Sequence, residues 1–137
     1  MADTFELELV SPERLLLSRP VEMVTVPAAE GEMGVLPGHA PMIVALRGGV
    51  IRVRENGADT EKLFVMGGFA EITPTRVTVL ADDAKPVANL SRSEAEQMVS
   101  QAETDLAVAA AETPAARDRA MDRLLAARAM LDSATAA

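Results

Sequence analysis

The chain has no cysteine, no tryptophan and no tyrosine, a single histidine, and an aromatic content of 2%. Without cysteine there are neither disulfides nor thiolate metal sites. With His39 as the one imidazole, the common zinc ligand sets have no members to draw on. A chain so poor in rings offers no platform on which sugars or bases could stack. Basic residues are also in deficit, 13 Lys and Arg against 21 Asp and Glu, for a net charge of −8. That balance opposes binding to phosphate backbones or anionic lipid. Neither nucleic acid nor direct lipid insertion is expected, and partners should be protein surfaces of complementary charge. No apolar run approaches the roughly 18–20 residues that span a bilayer. Met1-Ala2-Asp3-Thr4-Phe5 shows neither a basic start nor an apolar stretch behind it, unlike a secretory signal. The expectation is a cytoplasmic protein whose membrane association comes through a partner.

Apolar residues make up 49% of the 137 residues, enough for one core of Val, Leu, Ile, Met and Ala. Up to about Leu90 they recur with a period of two between turn signals. Phe5-Glu6-Leu7-Glu8-Leu9 alternates apolar and acidic residues, as a half-buried strand does. Ser11-Pro12-Glu13 is a turn, Leu15–Leu17 starts a second strand, and Arg19-Pro20 is expected to break it before Val21–Val26, with Pro27 ending that pairing. Met42–Leu46, Val50–Arg54, Lys62–Met66, Phe69–Ile72 and Arg76–Leu80 follow, and Glu55-Asn56-Gly57 carries the Asn-Gly hairpin signal. Eight to ten short strands at regular spacing predict a β-sandwich or barrel.

Beyond Asn89 the texture changes. Glycine is absent there and alanine, the strongest helix former, dominates. Ser91 with Glu94 fits a reciprocal capping box, after which Ala95, Met98, Val99, Ala102 and Leu106 share one helical face. Thr113-Pro114 fits a second start, an N-cap followed by a proline whose missing N–H costs nothing at the first helical position. Ala120, Leu124, Ala127 and Leu131 form the second stripe, widened by Met121 and Leu125, and the tail from Asp132 is expected to fray. The chain is therefore α+β, an N-terminal antiparallel β-sandwich of about ten strands over residues 1–88 and an antiparallel two-helix hairpin over 89–137.

Between the strands lies the densest punctuation in the chain, Glu30–Pro41, reading E-G-E-M-G-V-L-P-G-H-A-P. Its glycines and prolines specify turns, and Met33, Val35 and Leu36 suggest contact with a core. Two readings stand side by side. One is a structural corner; the other is a rigid acidic contact surface of Glu30, Gly31, Glu32, Gly34, Pro37, Gly38 and His39. Catalytic chemistry finds little purchase. No serine is placed beside His39 for a nucleophilic triad, no G-x-x-x-x-G-K-[ST] loop is present, and Asp82-Asp83 reads as a solvated pair without further oxygen ligands. Arg117, Arg119, Arg123 and Arg128, alternating with Asp118 and Asp122, form either a face laced with local ion pairs or a basic face that docks onto acidic surfaces. No cofactor and no metal are expected.

With these motifs in hand, the sequence resembles the epsilon subunits of bacterial F-type ATP synthases over essentially its full length. The resemblance is carried by the 30–41 stretch with Leu46-Arg47-Gly48-Gly49-Val50-Ile51 after it. Val65-Met66-Gly67-Gly68-Phe69-Ala70-Glu71-Ile72, running into Val77-Thr78-Val79-Leu80-Ala81-Asp82, is a second match, and Leu9-Val10-Ser11-Pro12-Glu13 fits the family's first strand and turn. It implies a non-catalytic subunit of the central rotor stalk, peripheral on the cytoplasmic side of the bacterial inner membrane. There the sandwich grips the gamma subunit and one end rests on the c-ring, with Glu32 matching the acidic contact to the c-ring loops. The hairpin is implied to reach the alpha and beta subunits when it regulates ATP hydrolysis. Some relatives bind ATP through I/L-D-x-x-R-A at the first helix start. Here Leu90, Ser91, Glu94 and Ala95 stand in that frame, with serine for the aspartate and glutamate for the phosphate-pairing arginine. Tight ATP sensing is not expected from such a frame, and weak or absent inhibition is. The rival readings are a nucleotide-responsive inhibitor of hydrolysis and, setting the resemblance aside, an acidic protein-binding adapter.

Overall fold

The computed structural model describes residues 3–136. Ten strands follow in order: β1 (Phe5–Val10), β2 (Leu15–Val21), β3 (Met23–Ala28), β4 (Gly31–Val35), β5 (Met42–Leu46), β6 (Gly49–Glu55), β7 (Ala58–Val65), β8 (Gly68–Ile72), β9 (Arg76–Ala81) and β10 (Ala84–Pro86). A short 3₁₀ turn, Val87–Asn89, leads to helices α1 (Arg92–Ala109) and α2 (Pro114–Ala136). Hydrogen bonding runs β10-β7-β6-β3-β5-β8-β9-β1-β2, with β4 on the free side of β3. The link between β3 and β5 is a single pair, Ala28 with Leu46. The ribbon therefore folds there into two sheets whose inner faces share one core, including Leu7, Leu9, Val24, Val26, Ile51, Val53, Ile72, Val77 and Val79.

Every ladder is antiparallel except one. β1 runs parallel to β9, since no short turn joins these two strands and their pairing is set by packing instead. Two prolines expected to break strands lie inside them. Pro20 sits on β2, which pairs only with β1, and an edge strand tolerates a residue that cannot donate. Pro27 sits where β3 leaves β6, to which it is bonded at Met23–Thr25, for β5. There only its carbonyl is needed, and it accepts from the Arg47 N–H at 2.9 Å. Glu30–Pro41 is not all turn, because Gly31–Val35 pairs along β3 as β4. Val35 is buried and Met33 packs against the core, whereas Leu36 is exposed. The Asn-Gly hairpin forms as expected, with Asn56 and Gly57 both at positive φ, 53° and 77°.

Both helix starts form where expected. Ser91 Oγ accepts from the Glu94 N–H at 3.2 Å and Thr113 Oγ1 from the Ala116 N–H at 3.1 Å. Of the reciprocal capping box, this first bond is the one present. The helices pack through Val99, Ala102, Leu106, Leu124 and Ala127. Met121 and Leu125 do not widen that stripe and stand exposed; Ala126 and Met130 are buried in their place. The reason is that α2 touches two things, α1 and the sandwich. Phe64 of β7 points outward from its sheet into a cluster with Ala95 and Met130, joined by Val50, Leu90 and Leu131. Gly48, between β5 and β6, meets α2 directly: a Cβ there would lie 2.6 Å from Ala126 Cα. The tail expected to fray, Asp132–Ala137, is helical as far as Ala136, with Ser133 and Thr135 hydroxyls donating to the carbonyls of Ala129 and Leu131, and Ala137 lies outside the described residues.

Candidate functional site

The 30–41 residues are divided by the strand among them. Glu30 lies in the two-residue turn between β3 and β4 and Gly31 and Glu32 open β4, while Pro37, Gly38 and His39 lie in the loop from β4 to β5. The intervening β4 has five residues, and at about 3.3 Å per residue it holds the two groups at opposite ends of the sandwich. Glu32 is engaged, its Oε2 accepting from Arg52 Nη1 at 2.7 Å with both side chains substantially exposed. At the other end Gly38, at φ 82°, donates its N–H to the Pro74 carbonyl at 2.8 Å. That fixes the loop to the β8–β9 turn in a left-handed conformation suited to glycine. His39 Nδ1 lies 2.8 Å from its neighbour's carbonyl, Ala40 O.

The residues of the degenerate nucleotide frame have structural partners. Leu90 and Ala95 pack in the Phe64 cluster and Ser91 caps α1, while Glu94 is exposed. Arg117, Arg119, Arg123 and Arg128 are all exposed on α2. Among the described residues none of the four forms a salt bridge, so the expected lacing of ion pairs with Asp118 and Asp122 is not present. Among those residues, too, no cluster of three or more carboxylates or imidazoles converges as a metal site. Among the described residues no helix is long and apolar enough to cross a membrane.

The feature that sequence reading missed runs across the sandwich. On the outer face of the β5-β8-β9-β1-β2 sheet, Ala45 pairs with Phe69, Phe69 with Leu80, Leu80 with Val10, and Val10 with Leu15. Phe69, Leu80 and Leu15 are each more than half exposed. The next outward row, Ile43, Glu71, Thr78, Glu8 and Ser18, is polar apart from Ile43, the most exposed large apolar residue at 73%. The signal lay in Val10, Leu15, Phe69 and Leu80, apolar residues out of phase with the buried alternation. Only the register reveals that they form one line. The opposite sheet's outer apolar residues, Phe64 and Val50, are covered by the hairpin.

A sandwich with helices closing one face and a bare apolar row along the other has the build of an assembly subunit, whose exposed strip another chain must cover. The model of the ATP synthase Delta/Epsilon chain beta-sandwich domain matches residues 4–87. The ATP synthase epsilon chain of Granulibacter bethesdensis is 58% identical over 134 residues, covering 98% of both chains. That of Rhodospirillum rubrum is 47% identical and covers 93% of this chain and 98% of its own. In fold, the chain is similar to one in the Euglena gracilis mitochondrial ATP synthase OSCP/F1/c-ring assembly. The TM-score is 0.76 at 22% identity, covering 95% of this chain and 81% of that one. A chain of the Tetrahymena thermophila mitochondrial ATP synthase central stalk and c-ring gives 0.74 at 14% identity, covering 96% and 97%. The chain belongs to the family of ATP synthase delta and epsilon chains.

Proposed function

We propose that this chain is a non-catalytic central-stalk subunit of a rotary ATP synthase, held to the gamma subunit by the outer face of the β5-β8-β9-β1-β2 sheet. The observation that carries the reading is the apolar row Ala45-Phe69-Leu80-Val10-Leu15, in register across five strands. Pro37, Gly38 and His39 belong with this face, at its Ile43 end. Glu30, Gly31 and Glu32, at the opposite end, are the residues that meet the polar loops of the c-ring, with Glu32 exchanging Arg52 for a basic group there. A charge so placed sets register more than affinity. Residues 1–88 are the gripping unit and 89–137 the hairpin, whose basic face of Arg117, Arg119, Arg123 and Arg128 is the part that can reach alpha and beta subunits. On this reading the chain sits peripherally at the cytoplasmic face of a bacterial inner membrane. Tight ATP sensing is not part of this reading, because Glu94 presents a carboxylate where a phosphate would need an arginine.

The test is binding to an F1 sector stripped of its own epsilon chain, comparing the natural chain with Phe69→Glu. Phe69 is exposed, so the variant should unfold at nearly the same temperature. Natural chain that binds, with a variant weakened at least about tenfold, supports the reading. Equal binding by the two overturns it.

A further inference from the structure

A cleft of about 820 Å³ separates α2 from the end of the sandwich. Its lips are two exposed apolar side chains, Phe69 of β8 and Leu125 of α2, at 57% and 53% exposure. Its floor is formed by turns with little side chain, including Gly48 and Gly67, and by the Ala126 surface of α2. A floor of glycine and alanine lets an inserted segment approach the backbone closely. The cleft is also charged. Glu32, Asp82, Asp122 and Asp132 line it against Arg47 and Arg52, and Arg52 is already paired with Glu32. Four carboxylates against two arginines leave the lining net negative whether or not that pair holds. Phe69 is shared with the apolar row, so a chain lying on that row continues over this lip without a break.

We infer that the cleft seats an apolar segment flanked by basic residues, contributed by the same stalk partner that covers the apolar row, and that its seating holds α2 on the sandwich. The inference rests on the stalk reading for the partner's identity. The apolar part of the segment bridges Phe69 and Leu125, one on each domain, and its basic flanks meet Asp82, Asp122 and Asp132. Since those two lips approach only when the hairpin is docked, partner binding and hairpin docking are linked in sign. Each raises the population of the other.

The experiment follows amide hydrogen exchange in α2, residues 124–130, for the full chain alone and bound to an F1 sector stripped of its own epsilon chain. Binding affinities are measured beside it. Exchange is expected to slow at least about tenfold on binding. Leu125→Ser and the double variant Asp122→Lys, Asp132→Lys, all at exposed positions, are expected to lose about tenfold in affinity and to lose the slowing. Unchanged affinity and unchanged slowing in both variants overturn the inference; if Phe69→Glu still fails to bind, the stalk reading survives that result. Faster α2 exchange on binding also overturns it, since the partner would then favour the undocked hairpin. Concentration-dependent dimerisation of the free chain, abolished by Leu125→Ser, would assign the cleft to a second copy and overturn it as well.

Discussion

Arg19 Nη2 stands 2.6 Å from Glu55 Oε1 and 3.2 Å from Glu61 Oε1, joining edge strand β2 of one sheet to β6 and β7 of the other. Arg19 pairs in register with Leu7, a core-facing position, so its guanidinium bridges the open edge of the sandwich between the two sheets. The placement also guards the edge, because an inward charge opposes pairing with another strand.

Replacing Arg19 by Met should lower unfolding stability only modestly, by about 0.2–1 kcal/mol, since the pair is partly solvated. The pair also makes this contribution depend on pH. The Arg19 guanidinium, followed by the Thr60 hydroxyl, holds the Glu55 carboxyl below its ordinary value of 4.5. A carboxyl depressed on folding contributes stability that is present above its unfolded value and lost as pH falls through its folded one. Arg19 itself is raised above its ordinary value, chiefly by its bond to Glu55. Its contribution is therefore complete at all lower pH for as long as Glu55 is ionised. Urea unfolding at pH 7 and pH 3 should show the gap between the natural chain and Glu55→Gln shrinking at the acid end. A gap that stays constant would remove the pair from the stability of the edge.

Gly48→Ala should loosen the hairpin and leave the sandwich folded. The added methyl meets Ala126 at backbone distance, 2.6 Å from its Cα, and no side-chain rotation relieves a clash with a helix backbone. Overpacking of this kind costs about 1–3 kcal/mol. Exchange of the α2 amides should accelerate while those of β1 and β9 keep their protection. Acceleration in both regions would mean that the turn supports the sandwich itself.

Phe64→Ala should act on the same docking from the other side. Phe64 is 1% exposed although its strand points it away from the sandwich core, so its burial is owed to Ala95 and Met130. Truncation of a buried phenylalanine costs about 3–5 kcal/mol where the site cannot collapse. Two unfolding transitions in calorimetry, with the helical signal lost first, are the expected outcome; a single unchanged transition contradicts it.

Much of this architecture was legible because its determinants are local. Period-two alternation, the Asn56-Gly57 turn and the Ser91 and Thr113 caps each act within a few residues, and they marked most strands and both helix starts. What escaped depends on tertiary placement. Pro20 looks like a breaker until β2 is known to be an edge, and Pro27 until β3 is known to change partners. Leu125 and Met130 are both apolar residues on α2, and only the nearness of the sandwich decides that Met130 is buried and Leu125 bare. The division of the 30–41 motif has the same origin. Its glycines and prolines announced turns, but the pairing of Met33 with Val26, which makes a strand of its centre, is a long-range fact.

Glu32→Lys separates the two readings of that motif most directly. Glu32 is half exposed and its partner Arg52 is 42% exposed. The substitution therefore exchanges a solvated ion pair for a like-charged one, at a cost of roughly 1 kcal/mol or less. The isolated chain should keep its secondary structure and unfold within a few degrees of the natural one. If the β3–β4 turn meets basic loops of the c-ring, the reversed charge turns an attraction into a repulsion at a contact that transmits rotation. ATP-driven proton pumping in reconstituted vesicles should then fall several-fold while ATP hydrolysis by F1 continues. Pumping and hydrolysis that fall together with the melting temperature would instead make Glu30–Glu32 a structural corner, with Glu32 needed for the strand it belongs to rather than for the surface it presents.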